Sequence, residues 1–217
     1  MHLDITYSVQ QLLQYLDCYS YTHWNTVICV VCYLSETQQL KLHLGGTNQI
    51  SLLGFTDSDW ANCLNTRRIV GDHAYTLGSG IVSWQARKQK RVATSSCEAE
   101  YIVASKASKK CLWLCKLLNS VNHMTNAPTT ICCNNNTAIN LSEDPALHDH
   151  IKYINIKHHF LCKCVQSNEI SLSYINTNNN IADIFTKALD IKKIQLISPN
   201  FRTQLFTRTP CEEEYSW

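Results

Sequence analysis

Gly78-Ser79-Gly80 parts two runs with strand character, Asp72–Leu77 and Ile81–Gln85, and a helix-opening signal follows soon after. A tight glycine turn between such runs specifies an antiparallel hairpin. In Ser95-Ser96-Cys97-Glu98 the Ser95 hydroxyl can accept from the backbone N–H of Glu98, whose carboxylate can reach back. A hairpin feeding a capped helix commits this part of the chain to a sheet with a helix laid across it. Ser51–Trp60 reads as a strand before the hairpin, and the helix is expected to run to about Asn119. Thr129–Cys133 is a further strand. The stretch Ile131 to Ile139, ICCNNNTAI, reads as that strand running into a loop and a short helix. His148–Val165 is mostly helical, Glu169–Ile175 is a strand, and Ile181–Leu189 is a last helix. Three strands, helix, strand, helices, strand, helix is an α/β order with a mixed sheet.

Residues 1–45 differ. Val9–Leu16 has apolar residues at helical spacing, Val27–Leu34 is a second helical candidate, and Gly45-Gly46 breaks the pattern. The expected organisation is a helical segment over 1–45, an α/β domain over 51–190 and a tail over 191–217. A length of 217 residues suits one sizeable domain with an appendage.

The net charge of +2 says little about partners. Local charge says more: Arg87, Lys88, Lys90 and Arg91 form the densest basic run, and Arg67 and Arg68 add to it, whereas Glu212–Glu214 make the tail acidic. These basic residues are candidate nucleic-acid contacts. No apolar run approaches the ~20 residues that cross a bilayer, and the N-terminus lacks a signal-peptide pattern. The expectation is an intracellular protein, cytoplasmic or nuclear, with no membrane partner. Twelve cysteines in that setting read as reduced, small apolar groups.

Asp57 lies near the end of the first strand, and alternation places Asp59 on its face. Glu98 and Glu100 are about 200° apart around the helix axis. With Glu98 engaged in the capping box, Glu100 is the inward candidate. Asp183 opens the last helix, where an acid suits the dipole. Carboxylates brought together from separate elements have one common use, holding hard divalent cations through oxygen.

The segments Gly54–Ala61 (GFTDSDWA), Ile81–Trp84 (IVSW), Ser95–Ile102 (SSCEAEYI) and Ala182–Leu189 (ADIFTKAL) occur in this order. Together they resemble the C-terminal ribonuclease H domain of copia-type retrotransposon Pol polyproteins, over about residues 51–190. Trp113-Leu114, Lys152–Ile154 and His158–Phe160 agree. Residues 4–45, with Asp4-Ile5, His23-Trp24 and Tyr33-Leu34, resemble the end of the preceding reverse transcriptase. The resemblance implies a ribonuclease H-like mixed five-stranded sheet flanked by helices. It implies hydrolysis of the RNA strand of an RNA–DNA hybrid with two Mg²⁺ or Mn²⁺ ions, beside the reverse transcriptase portion of the polyprotein. Its catalytic positions fall on Asp57, Glu100, Asn134 and Asp183, the three acids being the metal ligands.

Where that family has an aspartate, this chain has Asn134. A charge pair at 4 Å is worth roughly 4 kcal/mol at an effective dielectric near 20, and that loss from a transition state is about a thousandfold in rate. Weakened metal binding and impaired cleavage are expected. Other departures fit a decayed element: Ile69-Val70-Gly71-Asp72 after the arginine pair, Ile28–Val31 where basic residues are usual, and Asn62-Cys63. An alternative is a zinc-stabilised or nucleic-acid-binding interaction module without catalysis. His148, His150, His158, His159, Cys162 and Cys164 supply the ligand types of a tetrahedral zinc site.

Overall fold

Five strands make one sheet in the order β3-β2-β1-β4-β5. β1 is Leu52–Asp59, β2 Val70–Leu77, β3 Gly80–Lys88, β4 Thr129–Cys133 and β5 Ile170–Tyr174. The computed structural model describes residues 3–39, 51–59, 70–78, 80–89, 93, 95–123, 127–144, 159–187 and 189. β1, β2 and β3 are antiparallel neighbours, whereas β4 pairs parallel to both β1 and β5. The sheet is therefore mixed, as expected. Gly78, at φ 61°, supplies the left-handed residue in the β2–β3 turn. β2 begins two residues before the sequence reading placed it, because its pairing extends to Asp59 on one side and Lys88 on the other.

Helix α3 (Ser96–Ser120) crosses one face. Ser95 caps it by accepting from the Glu98 N–H at 3.1 Å. Its Tyr101, Ala104, Ala107, Cys111 and Leu114 recur at helical spacing and are buried with Tyr75 and Ile131. The Tyr75 hydroxyl donates to the Ala107 carbonyl at 2.6 Å. Helices α4 (Asn136–Glu143) and α5 (His159–Gln166) complete that layer and bury Ala138, Leu141, Leu161, Cys162 and Cys164. Buried cysteines here pack as small apolar groups, whereas Cys18, Cys29 and Cys32 are exposed.

The opposite face carries a second core of Phe55, Ala74, Ile81, Cys132, Ile184 and Phe185, to which Leu3 also belongs. It is covered by α1 (Thr6–Leu13) and α6 (Asp183–Thr186), with α1 touching both α6 and β3. Helix α2 (Tyr21–Glu36) packs beside α1 and buries no residue, leaving Trp24, Ile28 and Val31 exposed. The last helix is shorter than the nine-residue span expected from sequence: it ends at Thr186, where Lys187 turns to extended backbone (φ −132°, ψ 149°). Among the described residues no helix is long and apolar enough to cross a membrane.

Helix α3 packs tightly against β2 at Gly71. A Cβ there would lie 2.3 Å from Val103 Cγ2 and 2.7 Å from Gln89 Nε2. Gly71→Ala should destabilise the fold by about 1–3 kcal/mol through overpacking. Adding Val103→Ala should recover part of that loss in urea unfolding; a Gly71→Ala protein as stable as the parent would contradict this packing.

Candidate active site

β1 and β4 run parallel, so their C-terminal ends lie at the same edge of the sheet, where α3 and α6 begin. Asp57, in β1, is 1% exposed and is the hub of this region. Its Oδ1 accepts from Asn134 Nδ2 at 3.1 Å. Its Oδ2 accepts from the Thr186 hydroxyl at 2.5 Å and lies 3.1 Å from Lys187 Nζ. Lys187 Nζ also meets Asp183 Oδ1 at 3.0 Å, so one ammonium spans two buried acids.

Glu100 reaches the same region from the first turns of α3. Its Oε1 accepts from the Ser58 N–H at 3.1 Å, and the Cys133 thiol points at Oε2 from 3.8 Å. The three asparagines after β4 divide the work. Asn134 contacts Asp57, Asn135 caps α4 by accepting from the Ala138 N–H at 3.1 Å, and Asn136 is the first helical residue. Asn180, fully buried, fixes α6: its Nδ2 donates to the Thr56 carbonyl at 2.8 Å and its Oδ1 accepts from the Ala182 N–H.

Burial dominates the electrostatics. It raises Asp57, and Asp183 adds to that rise, while Lys187 and Thr186 oppose it. Glu100 is pushed up to about 8 by burial and then by Asp57, against the Ser58 hydrogen bond. For Lys187, burial acts downward, but Asp57 and Asp183 outweigh it and hold the ammonium above the ordinary lysine range.

Asp72 was not among the residues the sequence singled out. It lies directly opposite Asp57 in the β1–β2 register and is fully buried. Its Oδ1 accepts from the Arg87 N–H at 3.0 Å, and its Oδ2 has no partner among the described residues. Burial, with Asp57 and Asp59 adding to it, raises Asp72 to about 8 against that hydrogen bond. A charged residue at an inward position of a strand was the available signal. For Lys187 the signal was its i, i+4 spacing from Asp183.

Asp57, Glu100, Asn134 and Asp183 thus come to one end of the sheet, through Asp57. Glu98, read as a capping-box residue, is buried as well, at 8% exposure. Arg87 is exposed on β3, and Lys88 Nζ donates to Gln14 Oε1 at 2.9 Å beside α1. Arg67, Arg68, Lys90 and Arg91 lie outside the described residues, as do His148, His150, His158 and the His159 side chain. Cys162 and Cys164 are core residues, Cys162 lying 3.1 Å from the Tyr101 hydroxyl.

Among the described residues, no three His, Cys, Asp or Glu side chains are grouped to hold an ion. As arranged, the donor set does not fit a pair of divalent ions. Asn134 presents an N–H where an anionic oxygen would serve, and the Lys187 ammonium fills the space between Asp57 and Asp183.

A mixed five-stranded sheet in this order, flanked by helices on both faces, defines a ribonuclease H-like domain. No protein-family model matches the chain. The chain is 33% identical over 186 residues to the retrovirus-related Pol polyprotein from transposon RE2 of Arabidopsis thaliana, covering 86% of this chain and 13% of that protein. It is 32% identical over 193 residues to the corresponding polyprotein from transposon TNT 1-94 of Nicotiana tabacum, covering 89% of this chain and 14% of that protein. The solution structure of PFV RNase H domain aligns with a TM-score of 0.41 and 11% identity, over 61% of this chain and 83% of that one. The chain belongs to the family of copia-type retrotransposon Pol polyproteins, and it spans about one-seventh of the length of the curated relatives just described.

In metal-free buffer, unfolded Asp72 and Glu100 lose their protons in the ordinary carboxylate range, whereas the folded chain holds both to about 8. The folded state binds more protons between those limits, so stability should fall as pH rises from about 4 to about 8. Asp72→Asn should flatten part of that fall, seen as a Tm advantage over the parent that grows from pH 5 to pH 8. Lys187→Met removes the shared counter-ion and should cost on the order of 2 kcal/mol in EDTA, between the values for exposed and buried pairs. Chemical denaturation at pH 7 measures it, and an unchanged midpoint would show that the ammonium contributes nothing.

Proposed function

We propose that this chain is a nucleic-acid-binding, ribonuclease H-like domain that worked beside the reverse transcriptase portion of a Pol polyprotein, and whose cleavage of RNA–DNA hybrids is impaired. The ancestral reaction is hydrolysis of the RNA strand with two Mg²⁺ or Mn²⁺ ions. The roles of Asp57, Glu100 and Asp183 as metal ligands, and of the Asn134 position as the fourth, belong to this proposal. One observation carries the impairment: the Asn134 amide donates a hydrogen bond to Asp57 in place of contributing a negative charge. The Lys187 ammonium supports it, because it neutralises Asp57 and Asp183 from within the chain. A divalent ion entering there must displace that ammonium and also forgo one anionic ligand.

Hybrid binding needs less than cleavage does. Phosphate and 2′-hydroxyl contacts are supplied by Lys, Arg and backbone N–H groups with little base readout. Arg87, exposed on β3, is available for it. Binding should weaken steeply with salt as counter-ions are released.

The decisive experiment is hydrolysis of an RNA–DNA hybrid labelled on the RNA strand, in Mg²⁺ and separately in Mn²⁺. Asn134→Asp should cleave up to about a thousandfold faster than the parent, the size expected from ~4 kcal/mol of restored charge interaction. Calorimetry should show tighter Mn²⁺ binding by the same variant. Parent turnover equal to that of Asn134→Asp would overturn the impairment.

A further inference from the structure

A groove of about 470 Å³ runs along the outer strand β3, on the face of the sheet that α3 covers. Ser83 and Gln85 of β3 form one wall, and His73 of β2 lies between the walls. The other wall is a single stripe of α3. Lys106, Lys109, Lys110 and Trp113 stand at i, i+3, i+4 and i+7, so they share one side of the helix.

Three lysines on one stripe repel each other, and no acid among the described residues pairs with them. The Asp57 and Asp183 ion pairs both go to Lys187, not to Lys106, Lys109 or Lys110. Arg87 adds to the field: burial lowers the Lys106 ammonium first, then Arg87 and Lys109 lower it further. Burial, with Lys110 and Lys106 adding to it, brings His73 down to about 4, so the imidazole between the walls is neutral at pH 7. A wall of unbalanced cations beside a neutral floor favours a polyanion. Trp113 narrows the class. It is 53% exposed, and Lys110 Nζ lies 4.0 Å above its ring. An exposed indole carrying a cation is a stacking platform for a flat ring that arrives with negative charge attached.

The groove is separate from the carboxylates. Glu100 lies six to thirteen residues earlier on α3, or roughly 9–20 Å along the axis. Asp57 and Asp72 belong to the sheet face packed by α6, whereas His73 and Tyr75 face α3. The volume falls in the range of ordinary ligand clefts, enough for a short piece of one strand and too small for a duplex.

We propose that this groove is a second nucleic-acid contact that grips a single-stranded segment, with Lys109 and Lys110 on its phosphates and Trp113 against a base. It rests on the reading of the chain as a nucleic-acid-binding domain and is independent of cleavage. The geometry assigns Lys106 a different part: it donates to Gln89 Oε1 at 2.5 Å and holds the end of β3 to α3.

The test is fluorescence anisotropy of the full chain with a labelled oligo(dT) of about 12 nucleotides, within the usual site size of single-strand binders. Binding should weaken with salt, and Lys109→Gln/Lys110→Gln should reduce the slope of log K against log salt by about 1.4, near 0.7 for each phosphate no longer neutralised. Trp113→Ala should weaken binding about 5- to 150-fold at unchanged slope, and Trp113→Phe should recover most of it. Parent-like affinity and slope in the lysine variant, or parent-like binding by Trp113→Ala, overturns the proposal. So does displacement of the probe by poly-glutamate as effectively as by unlabelled oligo(dT), which would mark an acidic-protein surface. Hybrid cleavage by Asn134→Asp is a separate readout. Cleavage without oligo(dT) binding removes the groove alone, and oligo(dT) binding without cleavage leaves the groove standing and removes the reading of the carboxylates.

Discussion

A carboxylate that is 1% exposed inside a sheet is costly unless its charge is met, and Asp57 is met from three directions. The Asn134 amide comes from the end of β4, the Thr186 hydroxyl from α6, and the Lys187 ammonium from the residue after it. Together they tie the end of β4 and the end of α6 to β1. Asn180 adds a fourth tie by donating to the Thr56 carbonyl. A helix of four residues has little stability of its own. These polar contacts, with its own Ile184 and Phe185 buried in the core, hold α6 against the sheet.

The same network bears on what the site can do. A metal-holding carboxylate cluster without metal repels itself, and this chain relieves the repulsion from within. Lys187 bridges Asp57 and Asp183, the fourth position is an amide, and burial favours the protonated forms of Glu100 and Asp72 near neutral pH. Asp57, Glu100 and Asp183 therefore lie at one end of the sheet with much of their charge offset or suppressed from within the chain. The basic surface has no such settlement. Lys106, Lys109 and Lys110 stand together along α3 without an ion pair among the described residues, so their charge is offset by no described acid.

Much of the fold was legible because its signals are local. The glycine turn, the Ser95 cap and the strand alternation each act over a few residues, and β4 matches the expected Thr129–Cys133 at both ends. The last helix was less legible. Its apolar spacing continues past Thr186, and only the pull of Lys187 toward two acids accompanies its early end. Glu100 alone was read as the inward acid because a helical wheel shows angle alone, and the wheel does not reveal that Glu98 is buried as well.

The mixed sheet and the long capped helix were readable along the chain, since strand period and capping act between neighbouring residues, and the family resemblance pointed to Asp57, Glu100, Asn134 and Asp183. It took the folded chain to show that Asp72 lies opposite Asp57, that Lys187 is their region's counter-ion, and that four residues of α3 form a groove with β3. Those facts depend on strand register and on which helix face meets the sheet. A shift of one residue in register would send Asp72 to the other face, and no local pattern in the chain fixes that choice.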